Sequence, residues 1–215
     1  MMVTQTQQAR VSHNPDVQGV TDYDKIKYHG SLNAYKVVKA FHEGALLNGG
    51  FSKTVLGDDG RNDTNDTFLV RLNTSTNLVE ILRNGTLLTT VTNATSKVIG
   101  VFMLAGNDAF TTQGNFLNPL YVHGGRGNDV INGGGGDDTV FGGLGADTIN
   151  TGVGDDTVYG QAGNDVLTGG NGNDSLFGDA GADIFHAADG YYDYLAGGSD
   201  SDDGTDRDAI DSWIP

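Results

Sequence analysis

Residues 124–186 read, in steps of nine, GGRGNDVIN, GGGGDDTVF, GGLGADTIN, TGVGDDTVY, GQAGNDVLT, GGNGNDSLF and GDAGADIFH. Position four is Gly in every step. Position six is Asp in every step: Asp129, Asp138, Asp147, Asp156, Asp165, Asp174 and Asp183. Position eight is always large and apolar: Ile131, Val140, Ile149, Val158, Leu167, Leu176 and Phe185. Composition alone, with many charges and few large apolar groups, suits a disordered tail. A disordered tail has no reason to keep a nine-residue phase, so the segment reads as a repeat architecture. One apolar residue in nine is too sparse for a helix face or an ordinary strand. It fits a solenoid whose short strands each point one side chain inward.

Working outward, the charge has the same address as the repeat. The chain has 215 residues, a formal charge of −16, 34 Gly, 3 Pro and no Cys. Residues 1–123 balance ten basic against ten acidic side chains. Residues 124–215 hold 18 Asp, no Glu and only Arg126 and Arg207, which accounts for the whole net charge. Such a chain lacks the basic face that nucleic acid or an anionic membrane needs. Its apolar runs are too short to cross a bilayer, and MMVTQTQQAR lacks the apolar core of a secretory signal. Without cysteine there is no disulfide and no thiolate metal site.

The glycines allow positive φ in tight turns and leave carbonyl oxygens bare. With one carboxylate per step, the convergent groups are hard oxygens, which suit Ca²⁺ rather than zinc or copper. Three steps depart from the pattern: Thr151 stands for the first Gly of its step, and Gln161 and Asp179 stand for the second. The last two keep a carbonyl but make positive φ less comfortable.

The nonapeptides resemble the RTX family of hemolysin-type calcium-binding repeats, GGxGxDxUx, without a gap over 124–186. The resemblance implies an all-β fold: a right-handed parallel β-roll or β-helix with 18-residue coils and Ca²⁺ in the turns. It implies ligands at the Asp of position six and at the carbonyls of Gly125, Gly127, Gly134, Gly136, Gly143, Gly145, Gly152, Gly154, Gly163, Gly170, Gly172 and Gly181. Odd steps stack Asp129, Asp147, Asp165 and Asp183 on one side. Even steps stack Asp138, Asp156 and Asp174 on the other, for about five shared ions or more.

The repeat frays at both ends. Asp193 and Leu195 fit positions six and eight after a one-residue insertion, and Gly197, Gly198 and Asp202 begin another unit. Upstream, Gly106, Asp108 and Phe110 keep the right spacing, so Asp108 is expected to cap the odd stack. The half-coil TQGNFLNPLYVH has lost its Asp loop and is expected to hold no ion. Tyr191, Tyr192, Tyr194 and Trp213 are expected to cover the open end of the solenoid.

The expected organisation is residues 1–50 as an N-terminal segment, partly disordered with a short helix over 31–47. Residues 51–123 form a strand and hairpin region that caps the roll, residues 124–186 the roll, and residues 187–215 a degenerate repeat and aromatic acidic cap. Asn84–Gly85, between LVEILR and TLLTTVT, is a hairpin signal, and 98–104 reads as a buried strand. In GDDGRNDTNDTF, Asp58, Asp59, Asp63 and Asp66 read as a surface turn, with one further ion as the alternative.

Catalytic patterns fail. His42–Glu43 is followed by Leu46 where a zinc protease needs His. There is no GxSxG, and the five histidines form no cluster. Six Asn-x-Ser/Thr triplets, five between Asn62 and Asn93 and one at Asn173, are expected in Asn/Thr-rich β sequence. The expected function is a non-enzymatic, calcium-binding roll, secreted or at a bacterial cell surface, that folds on the metal. Two alternatives stand beside it. One is the non-catalytic RTX part of a secreted protease, lipase, epimerase or toxin. The other is an adhesin or ice-binding protein with a cell-surface, glycan or self-association partner. That alternative would use the outward residues Thr139/Phe141, Thr157/Tyr159 and Ser175/Phe177.

Overall fold

A computed structural model describes residues 53–56, 64–93, 98–114, 116–187, 189–198, 200–207 and 212–214. The chain divides into two units, Met1–Gly50 and Phe51–Pro215, and every element below belongs to the second. The expected helix over 31–47 lies outside the described residues, as do Asp58, Asp59 and Asp63.

The described residues form strands and turns only. The first group is β1 (Lys53–Leu56), β2 (Thr67–Asn73), β3 (Leu78–Arg83), β4 (Thr86–Thr92), β5 (Ile99–Ala105), β6 (Ala109–Gln113) and β7 (Leu120–Arg126). The repeat then makes β8 (Val130–Gly135), β9 (Thr139–Leu144), β10 (Thr148–Val153), β11 (Thr157–Ala162), β12 (Val166–Asn171), β13 (Ser175–Ala180) and β14 (Ile184–Ala187). Three more follow: β15 (Tyr194–Gly198), β16 (Asp203–Arg207) and β17 (Ser212–Ile214).

From β5 onward successive strands alternate between two sheets, which makes this part of the chain a parallel β-solenoid. One sheet runs β1-β5-β7-β9-β11-β13-β15-β17 and the other β16-β14-β12-β10-β8-β6-β2-β3-β4. Through the repeat each residue pairs with the one 18 further on, as in Val140 with Val158 and Ile149 with Leu167. Position eight supplies the core. Val122, Val140, Val158, Leu176 and Leu195 form one inward column; Phe68, Phe110, Ile131, Ile149, Leu167 and Phe185 form the other. All are buried in a single cluster. These two columns are the interior core of the roll, and so thin a core has to be supplemented elsewhere.

The upstream region closes the solenoid as a β cap. β2 pairs in parallel with β6, while β3 and β4 fold back antiparallel beside it. Asn84 (φ 49) and Gly85 (φ 76) turn the β3–β4 hairpin as the Asn-Gly signal requires. β5 is buried along its entire length, as expected of the strand at 98–104. At the downstream end Tyr191 and Tyr192 are about half exposed, and the Tyr194 ring lies 5.7 Å from that of Phe177. β16 and β17 continue the two sheets, with Trp213 in register with Leu195.

Positions seven and nine point outward. On the β9–β13 face, Phe141, Tyr159 and Phe177 stack with centroids 4.8 and 4.9 Å apart and planes 7° and 10° from parallel. Phe102 and His123 extend this file upstream. His123 is buried, and burial lowers its pKa to about 3, so it is a neutral member of the aromatic stack. Parallel pairing at one-coil spacing brings these rings to stacking distance and stiffens the sheet.

Candidate metal centre

The turns between the sheets carry the Asp residues, and each turn hands a hydrogen bond to the next coil. On the first edge the amide of Asp108 donates to Oδ1 of Asp129 (2.7 Å), Asp129 to Asp147 (2.7 Å), Asp147 to Asp165 (2.8 Å) and Asp165 to Asp183 (2.8 Å). On the second edge Asp138 donates to Asp156 (2.7 Å), Asp156 to Asp174 (2.8 Å) and Asp174 to Asp193 (2.7 Å). The odd and even stacks of the sequence are therefore two separate files on opposite edges.

Both files run further than the seven regular steps. Asp193 joins the second edge, as its spacing suggests. Asp202 joins the first, accepting from the Asp183 amide at 3.1 Å. Upstream, Asp108 is an inner member rather than the cap. Its Oδ1 accepts from the amide of Asp66 at 2.6 Å, and Asp66 is 4% exposed, not a surface turn. Asp66 terminates the file: Asn84 Nδ2 donates to its Oδ1 (2.6 Å), and Arg83 Nη1 lies 3.8 Å from its Oδ2. The sequence carries a faint signal for this residue. Asn65-Asp66-Thr67-Phe68 reproduces positions five to eight of a step. On the second edge the half-coil without an Asp loop places Leu120 one coil before Asp138, to whose Oδ1 it donates its amide at 2.8 Å.

Each regular Asp uses Oδ1 in this ladder. The other oxygen, Oδ2 of all seven (Asp129, Asp138, Asp147, Asp156, Asp165, Asp174 and Asp183), is buried with no hydrogen-bond partner within the protein. Burial pushes the Asp129 carboxyl up to about 7, with the amide of Asp108 opposing and the charge of Asp108 adding. Burial likewise pushes Asp138 and Asp147 up to about 8, Asp174 to about 7 and Asp165 to about 6. For Asp156 and Asp183 the direction is the same and burial is again the first cause. Carboxylates so placed call for a proton or a cation.

The surrounding oxygens are backbone. Gly125, Gly127, Gly143, Gly145, Gly163 and Gly181 on one edge, and Gly136, Gly152, Gly154, Gly170 and Gly172 on the other, all have φ between 100° and 146°. The carbonyl of each position-two or position-four residue is aimed at the same position of the next coil. A Cβ at Gly143 would strike the Gly125 carbonyl, at Gly145 the Gly127 carbonyl, and at Gly163 the Gly145 carbonyl. The turn therefore needs glycine both for its dihedral and for room. Leu104 (φ 84), Gln161 (φ 78) and Asp179 (φ 70) hold position two in the same left-handed region without being glycine. Gly134 departs from its fellows and shows no such φ. It faces Thr112 and Phe116 of the altered half-coil, so no equivalent loop shapes it.

Among the described residues no three Asp, Glu or His side chains gather into a cluster. An ion in these turns would draw on one or two carboxylates and otherwise on main-chain carbonyls. That all-oxygen set fits Ca²⁺, which takes about 6–8 oxygens in flexible geometry. The residues present fit the metal that the resemblance implies: the Asp files, Asp108 and Asp193 among them, and the glycine carbonyls of positions two and four.

The comparison with protein families agrees with this geometry. The family model described as the RTX calcium-binding nonapeptide repeat matches in four copies, over residues 121–149, 150–185 and 159–192. No curated protein and no solved structure matches the chain. Two edges of Asp-Gly turns in 18-residue register lie on the strands that this family model covers, so residues 121–192 match the RTX calcium-binding nonapeptide repeat in sequence and form a parallel β-roll in structure.

Proposed function

We propose that this protein is a non-enzymatic, extracellular calcium-binding module whose roll folds when the ions bind. The observation that carries the reading is the buried Oδ2 of Asp129, Asp138, Asp147, Asp156, Asp165, Asp174 and Asp183, each without a hydrogen-bond partner in the protein. At neutral pH and without cations, these files repel along their length and the thin core has to hold them together. A bound Ca²⁺ reverses the sign of that contribution, and its binding energy becomes folding energy. Extracellular calcium modules work at about 10⁻⁴–10⁻³ M, a range that supports folding outside the cell. RTX repeats are typical of secreted bacterial proteins, which supports the same placement.

The test is circular dichroism of the full chain during a calcium titration, against an EGTA control and a magnesium control. A cooperative gain of β signal with calcium alone is expected. A roll equally folded in EGTA at neutral pH would refute metal-linked folding.

A further inference from the structure

The Asp loops of the roll are not equivalent, and the difference lies at position one. At Gly124, Gly142, Gly160 and Gly178 the Oδ2 of the same loop's Asp leans over the glycine α-carbon, and the position-one carbonyl of the next coil faces the same space. A Cβ there would strike both. The space between a buried carboxylate oxygen and a carbonyl oxygen contains two acceptors and no donor from the protein.

Residue 151 holds position one of the second-edge loop 151–156 and is threonine. Its side chain is fully buried, at 0% exposure. Its hydroxyl donates to the Gly169 carbonyl at 2.8 Å, which is the position-one carbonyl of the next coil. The hydroxyl lies on the Asp156 side of the gap and opposes the upward push of burial on that carboxyl, while its one hydrogen goes to Gly169 and Oδ2 of Asp156 keeps no hydrogen-bond partner in the protein. In this loop, then, a protein donor stands where the others present acceptors only. A carbonyl lone pair already engaged by a hydrogen is withdrawn from a cation, and the threonine methyl and hydroxyl fill volume that glycine leaves open.

We propose that Thr151 replaces a calcium ion: its hydroxyl closes the gap between loops 151–156 and 169–174, so this rung of the second edge is held without metal. The inference rests on the calcium reading above. It divides the second edge into a metal-free rung flanked by ion-dependent ones, giving the roll a fixed point from which the remaining coils of that edge can order.

Native mass spectrometry of the calcium-saturated full chain counts the ions. Thr151→Gly is expected to bind one ion more than the parent chain and to melt at the same or a higher temperature in calcium. Thr151→Ser, which keeps the hydroxyl, is expected to keep the parent count. An unchanged or lower count in Thr151→Gly overturns the proposal, as does failure of that variant to fold in calcium, because glycine is the residue the other loops use. A parent chain that binds no calcium overturns the underlying calcium reading instead, and is recognised before any variant is made.

Discussion

The backbone amide of Asp147 donates to Oδ1 of Asp165 at 2.8 Å, one whole coil downstream, while Oδ1 of Asp147 itself accepts from Asp129 at 2.7 Å. Each inner Asp thus ties the coil before it to the coil after it. Asp147→Asn keeps an oxygen for the Asp129 amide and removes the charge. Its calcium midpoint is expected to rise, and its ion count to fall, more than in the equivalent change at the terminal Asp202. Isothermal titration calorimetry checks this, and equal effects at the two positions would show the rungs to be independent.

Acid is expected to substitute for calcium. The carboxyls of Asp129, Asp138, Asp147, Asp165 and Asp174 are raised by burial to between about 6 and about 8, above their ordinary 3.8. The folded state therefore binds protons more tightly than the unfolded state. Their contribution is fully present below the ordinary value and is lost as pH rises through about 6 to 8. In EGTA the β signal should grow as pH is lowered from 8 to 5, and calcium should restore it at pH 8. A calcium-free roll more stable at pH 8 than at pH 5 would contradict the burial of these groups.

Two positions carry avoidable backbone strain. Gln161 and Asp179 occupy position two at φ 78 and φ 70, a region that disfavours a side chain by roughly 1–2 kcal/mol. Gln161→Gly relieves the dihedral but loosens the unfolded chain by about 0.5–1 kcal/mol. The net expectation is a gain of about 0.5–1 kcal/mol in the calcium-bound state, read as a higher thermal midpoint. A lower midpoint would mean that the buried Gln161 side chain contributes more than its backbone conformation costs.

The aromatic file offers a control that leaves the turns alone. Tyr159 stacks on both Phe141 and Phe177, and such pairs contribute about 0.5–1.5 kcal/mol each beyond burial. Tyr159→Ala should lower the melting temperature of the calcium-bound roll without changing the number of ions bound. A lost ion would mean that the sheet face and the turns are coupled.

Much of this architecture is legible from residue spacing. Position eight names nearly every core residue of the roll, and position six names both Asp files, because an 18-residue coil maps sequence period directly onto spatial neighbours. Asp108 and Asp193 are found by the same ruler. Asp66 escapes it because 42 residues, including the antiparallel β3 and β4, separate it from Asp108. Phase is lost across such an insertion even though the local Asn-Asp-Thr-Phe pattern survives. His123 is hard to place for another reason. Nothing in a lone histidine announces that its register partner is Phe141 and that both lie in one stacked file. The ends are also poorly legible, since β16 and β17 pair through backbone and carry little of the repeat's side-chain signature.

The spacing within the ladders has a wider consequence. Neighbouring Asp residues on one edge are linked across 18 residues in the regular coils, yet the same bond forms across 19 between Asp174 and Asp193, 21 between Asp108 and Asp129, and 42 between Asp66 and Asp108. The bond is blind to contour length and sensitive only to which residue arrives at the turn. Extra chain can therefore be spliced into a coil, or a whole coil removed, without renegotiating the rest. A molecule built in this way can be lengthened, shortened or decorated in whole units, like a modular beam whose joints are all of one pattern.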